Sequence, residues 1–136
     1  MILSLDRQVT NYELSHDLVK ADVAMNTMFF WVTYLEGHIT IESAAVAKKH
    51  KQFCSAYLSS ELGQLLPAEV QTFWRFNSEV IPQWYCTYQN KDEDISLETH
   101  GKTEADVRGH MLLEILKIKN IPKNIFWKER EEENED

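Results

Sequence analysis

The chain has 136 residues, 43% of them hydrophobic, which is one domain's worth and enough to bury a core. No apolar run is long enough to span a bilayer, and Met1-Ile2-Leu3-Ser4-Leu5-Asp6-Arg7 lacks the basic start and apolar core of a signal peptide, so a cytoplasmic protein is expected. The net charge is −8, but Glu129 to Asp136 alone hold six acids and one base; the other 128 residues carry 13 bases and 16 acids, and a body without a basic excess argues against direct nucleic-acid binding.

Met1 to Val9 reads as a short strand or an extended arm. Thr10-Asn11-Tyr12-Glu13 has the form of a capping box and opens a helix from about Asn11 to Asp22. No Gly or Pro marks where that helix stops. Met28 to Leu35 is aromatic and β-branched, apolar on both faces, and reads as a central strand. Glu36-Gly37 turns the chain, and His38 to Glu42 is its hairpin partner. Ser43 to Lys51 has helical composition or is a loop. Gln52 to Tyr57 reads as a third strand. Ser59 or Ser60 caps a short helix, Glu61 to Leu66, which Pro67 stops. Glu69 to Ile81 carries Phe73, Trp74 and Phe76 among polar residues, as a strand or a structured loop. Pro82 separates it from the closing unit of the chain.

That closing unit is the best marked. Trp84 to Tyr88 and Ile95 to Thr99 alternate bulky and polar residues, as half-buried strands do, and the polar run Gln89 to Asp94 reverses the chain between them. Thr103 caps a helix that runs to Lys119. Asp106, three residues on, is placed to bond back to the cap backbone. Val107, Met111, Ile115 and Ile118 form one stripe, which Ala105, Leu112 and Leu116 widen to half the circumference. A stripe that wide predicts a helix packed on a sheet and flanked by a second layer. Pro122 lies beyond its end. Ile125-Phe126-Trp127 is a last apolar patch. The whole predicts an α+β fold over 1–128, with one mostly antiparallel sheet of about five strands, two main helices packed on it and a short helix at an edge. The acidic tail, 129–136, is expected to be disordered.

Three motifs occur together: Ser60-Glu61-Leu62-Gly63-Gln64-Leu65-Leu66-Pro67, Trp84-Tyr85-Cys86-Thr87-Tyr88, and Thr103-Glu104-Ala105-Asp106-Val107-Arg108 with the helix after it. With Glu13-Leu14-Ser15 and the later Phe30-Trp31, they resemble a family of small uncharacterised α+β proteins of phages, prophages and gut bacterial genomes. The likeness covers 10–121. The longer Ile41 to Gln52 region, the Phe73-Trp74 segment and the acidic tail depart from it. The resemblance implies a phage-linked accessory protein in a bacterial cytoplasm and brings no catalytic residues.

The residues offer little recognisable chemistry of their own. His16, His38, His50, His100 and His110 are scattered; His50 stands near Cys54, but no second pair has ligand spacing, so no metal site is expected. No nucleophile elbow or phosphate loop is present, and no catalytic residue or cofactor is assigned. Cys86 and His100 pair on paper across a hairpin, against the simpler reading of a core thiol opposite a rim histidine. Cys54 and Cys86 read as reduced core thiols, with a disulfide as the alternative. Asp92-Glu93-Asp94 reads as a solvated turn. Arg108 falls within the apolar arc of its helix. Either its stem covers apolar surface while the guanidinium reaches water, or it serves an ion pair or a ligand. Fifteen aromatic residues exceed what a small core needs, and Trp74, Phe76, Phe126 and Trp127 lie in the least regular segments. These aromatics, with Glu131, Glu132 and Glu133, are the candidate partner-binding residues. Together these features point to a non-enzymatic binding protein that occludes a bacterial host protein, with a component of an antiviral defence as one such target. The alternative is a homo-oligomeric binder of a nucleotide-like small molecule, and an enzyme with an unfamiliar site stands third.

Overall fold

Eleven elements succeed one another through the described residues, which are 4–23, 27–50, 53–77 and 80–118 of a computed structural model, excluding the side chains of 75–77 and 80–82. They are α1 (Leu5–Gln8), α2 (Tyr12–Lys20), β1 (Phe29–Thr33), β2 (Ile39–Ser43), α3 (Ala44–Ala47), β3 (Phe53–Ala56), α4 (Ser59–Leu65), β4 (Gln71–Asn77), β5 (Val80–Asn90), β6 (Ile95–Gly101) and α5 (Glu104–Ile118). The class is α+β, as the sequence predicts. The expected single sheet is absent among the described residues. The strands form two antiparallel three-stranded sheets, ordered β2-β1-β3 and β4-β5-β6. The division falls where α4 interrupts the chain between β3 and β4 and packs on α5. β1 is central, as its two apolar faces require.

The ends of α2 correct two expectations. Its cap is Asn11, whose side-chain oxygen accepts the Leu14 N–H at 2.8 Å. Thr10 is fully buried instead. Its hydroxyl bonds the Ser15 hydroxyl and accepts the Tyr57 N–H, while its carbonyl accepts the Trp31 indole N–H. At the other end Asp22 takes the left-handed conformation, φ 61°, where glycine is usual. Asp22 N–H then bonds Val19 O, Val23 N–H bonds Leu18 O, and Val23 packs in the same cluster as Leu18. Of the expected first strand or arm, residues 1–3 lie outside the described residues and the rest is not a strand: α1 occupies Leu5–Gln8, and Val9, fully buried, makes one bridge to Leu58.

Pro82 lies inside β5 rather than before it. Arg75 pairs with Gln83 and Asn77 with Val80, so two residues of β5 stand opposite one of β4. A bulge of that kind tolerates a residue with no N–H to give.

α5 joins two apolar clusters. Val107, Met111 and Ile115 pack on Cys86 and Tyr88 of β5, with Leu97 of β6 beside them. Leu112 faces the other way, into Leu14, Leu18, Val23, Tyr57 and Leu62. That two-sided burial accounts for the wide apolar arc; Ile118, last on the stripe, is 54% exposed. Gly109 permits the close crossing of α2 and α5. A Cβ there would stand 2.9 Å from Leu14 Cδ2 and 3.1 Å from Thr10 Cγ2. Among the described residues no helix is long and apolar enough to cross a membrane.

Candidate functional site: a cleft at the start of α5

Local bonds first fix the beginning of α5. Thr103 Oγ1 accepts the Asp106 N–H at 3.1 Å, the cap bond the sequence predicts. The Asp106 carboxylate does not return to its own cap. It accepts the Asn11 N–H at 2.8 Å and so ties the start of α5 to the start of α2. Glu104 accepts from the Ser59 hydroxyl at 2.7 Å and pairs with Arg108 at 3.3 Å.

Arg108 completes this wall. Its Nη1 donates to Ser59 O at 2.8 Å and its Nε to Thr72 Oγ1 at 3.1 Å. One guanidinium thereby links α4, α5 and β4. The ion pair that the sequence allows is present, at a partly exposed position, and the guanidinium turns to protein groups rather than outward to bulk water. Gly63 gives it room, because a Cβ there would lie 3.1 Å from Nη1.

Opposite this wall the β4–β5 hairpin places Trp74 directly across from Trp84. Their rings meet edge to face, with centroids 5.6 Å apart and planes at 69°. Between the wall and the two indoles lies an open cleft of about 440 Å³. Arg7 of α1 and Lys102 before α5 reach its rim; both are exposed, and among the described residues neither is ion-paired. Trp74 is 52% exposed. An exposed indole backed by a second ring, flanked by cations, is suited to holding a ligand with both apolar and anionic parts.

Of the residues singled out from the sequence, Trp74 and Arg108 meet in this cleft. Phe76 lies on β4, with its side chain outside the described residues, as are Phe126, Trp127, Glu131, Glu132 and Glu133 altogether. Sequence reasoning missed Arg7, Trp84 and Lys102 as site residues. The signal for Trp84 was available: once β4 is a strand, an antiparallel hairpin sets Trp84 against Trp74.

The other sequence candidates stay apart. Cys86 pairs in register with Thr99, whereas His100 stands opposite Tyr85, one residue away and therefore on the other face. Cys86 is fully buried and His100 exposed, so the paper Cys–His pair does not form. Both cysteines are free and buried. Burial pushes the Cys54 thiol up to about 11. It pushes the Cys86 thiol up too, against the opposing pull of the Thr72 hydrogen bond and the Arg108 charge. His50 packs against the Tyr34 ring rather than Cys54, with His38 on that ring as well and the Tyr34 hydroxyl donating to Glu42. Among the described residues no group of three or more His, Cys, Asp or Glu is placed to hold a metal ion.

Compared with known proteins, the chain matches no family model, no curated protein and no solved structure.

Proposed function

We propose that this chain is a non-enzymatic binding protein that acts by occluding a bacterial host protein, and that the cleft at the start of α5 is its contact surface. The observation that carries this reading is Trp74, an indole half open to solvent at the mouth of a concave, cation-rimmed site. Tryptophan and arginine are among the side chains that most often anchor protein interfaces, the indole through its large rigid apolar face and the guanidinium through its fork of hydrogen-bond donors. The family resemblance supports a host protein as the target. The acidic tail would add long-range attraction to a basic partner surface, an effect that added salt weakens. The test is capture from a bacterial lysate by the full chain and by a chain ending at Trp127. One dominant protein captured by both assigns function to the folded body. Loss on truncation assigns it to the tail.

A second reading, a binder of a small nucleotide-like molecule that works as a homo-oligomer, is favoured by the shape of the same site. The cleft volume falls in the range usual for small-molecule pockets. A melting shift with metabolites and a defined oligomer by light scattering would support it. A monomer with no shift would remove it.

A further inference from the structure

The charge lining the cleft is opposite in sign to that of the chain as a whole. The chain carries −8 overall, yet Arg7, Lys102 and Arg108 line this one site against a single carboxylate, Glu104. Glu104 is already satisfied by Arg108 and the Ser59 hydroxyl. Two exposed cations therefore remain beside two indoles, with no counter-ion among the described residues. Neither half of this arrangement suits a simple ligand. A purely apolar molecule would gain nothing from the cations. A bare anion would leave Trp74 as open as before. The ligand that uses both carries an anionic group on a flat, aromatic body.

We propose that the cleft binds a small aromatic phosphate of the nucleoside monophosphate class, with the phosphate held by Arg7 and Lys102 and the base laid against Trp74. The proposal rests on the cleft being the protein's binding site. Each half has its own physical warrant. A phosphate draws on charge-assisted hydrogen bonds from both an arginine and a lysine. A base stacks on an indole whatever its hydrogen-bonding edge. Trp84, meeting Trp74 edge to face, holds the platform in place without covering all of it. Arg108 is committed to Ser59, Thr72 and Glu104, so it shapes the wall and is not the phosphate ligand. The rim charges are exposed, so binding should fall as salt rises.

The experiment is calorimetric titration of the full chain with adenosine 5′-monophosphate, adenosine and inorganic phosphate. It is repeated on Trp74→Ala and Lys102→Glu after thermal melting shows each variant folded. The expected result is binding of the monophosphate, with adenosine and phosphate each about tenfold weaker or more, and a loss of about tenfold or more in each variant. Equal binding of adenosine would overturn the role of the cations, and equal binding of phosphate that of the indoles. No binding of the monophosphate to the folded chain would overturn the ligand class. Capture of a protein partner that Trp74→Ala abolishes would then show the cleft still to be the working surface. Monophosphate binding that survives both substitutions would contradict the cleft reading itself.

Discussion

Glu61 carries a structural duty that its place in the first turn of a short helix does not suggest. It is 8% exposed, and its two carboxylate oxygens accept separate backbone N–H groups, Leu58 at 2.8 Å and Met28 at 3.0 Å. The first caps α4, whose N-cap residue Leu58 has no acceptor of its own; the second pins the approach to β1. Glu61→Ala strands both donors and should cost about 2–4 kcal/mol in urea unfolding, with Glu61→Gln, which keeps one acceptor oxygen, intermediate. A loss below about 0.5 kcal/mol would show that water replaces the carboxylate. The sequence points to Ser59 or Ser60 as the cap because their hydroxyls are the usual acceptors. It cannot show that Ser59 is drawn instead to Glu104, a residue 45 positions away. Asp22 is similar: no glycine marks the end of α2, because an aspartate takes the left-handed position in its place.

At the scale of elements, the sequence was most informative where one element meets its neighbours along a regular period. The apolar arc of α5 implies a sheet on one side and a second layer on the other, and two clusters meet on that helix. Strand pairing was less legible. β3 and β4 each look able to join a common sheet, but their pairing puts them in separate sheets, with α4, packed on α5, between them in the chain. Gly109 yields the clearest prediction at this scale. In an open helix position Gly→Ala gains about 1 kcal/mol. Here the new methyl meets Leu14 and Thr10 across the α2–α5 contact, and overpacking of that kind costs about 1–3 kcal/mol. Gly109→Ala should therefore lower stability by about 1 kcal/mol, read from the urea midpoint. A gain would mean that α2 yields without strain.

The whole molecule is expected to be sensitive to alkali. Burial raises the Cys54 thiol from its ordinary 9.0 to about 11 and raises Cys86 with it. Burial, and then the nearby Cys54 charge, raise the Tyr57 phenol as well. Above about pH 9 the unfolded chain gives up protons that the folded chain keeps, so stability falls as pH rises. The Cys54 contribution should be intact below about pH 9 and lost between about pH 9 and 11, and those of Cys86 and Tyr57 decline in the same direction once pH passes each group's ordinary value. A melting temperature unchanged across that window would contradict it. For the same reason, iodoacetamide at about pH 8 should modify the cysteines far more slowly in the folded protein than in urea.

The cleft too belongs to the whole molecule, and that is why sequence reasoning met only part of it. Trp74 and Arg108 stood out singly, one as an aromatic in an irregular stretch, the other as a charge on an apolar arc. Arg7 and Lys102 are ordinary surface cations until α1 and the start of α5 bring them to the same rim. The measurement that tests the cleft as a contact surface most directly compares partner capture by the full chain, by Trp74→Ala and by Phe53→Ala, each shown to be folded. Phe53 is a fair control, because it is a comparably exposed aromatic at 48% and lies on the other sheet. Capture should be lost with Trp74→Ala and kept with Phe53→Ala. Capture that survives Trp74→Ala, or fails only with Phe53→Ala, would contradict the assignment of the cleft.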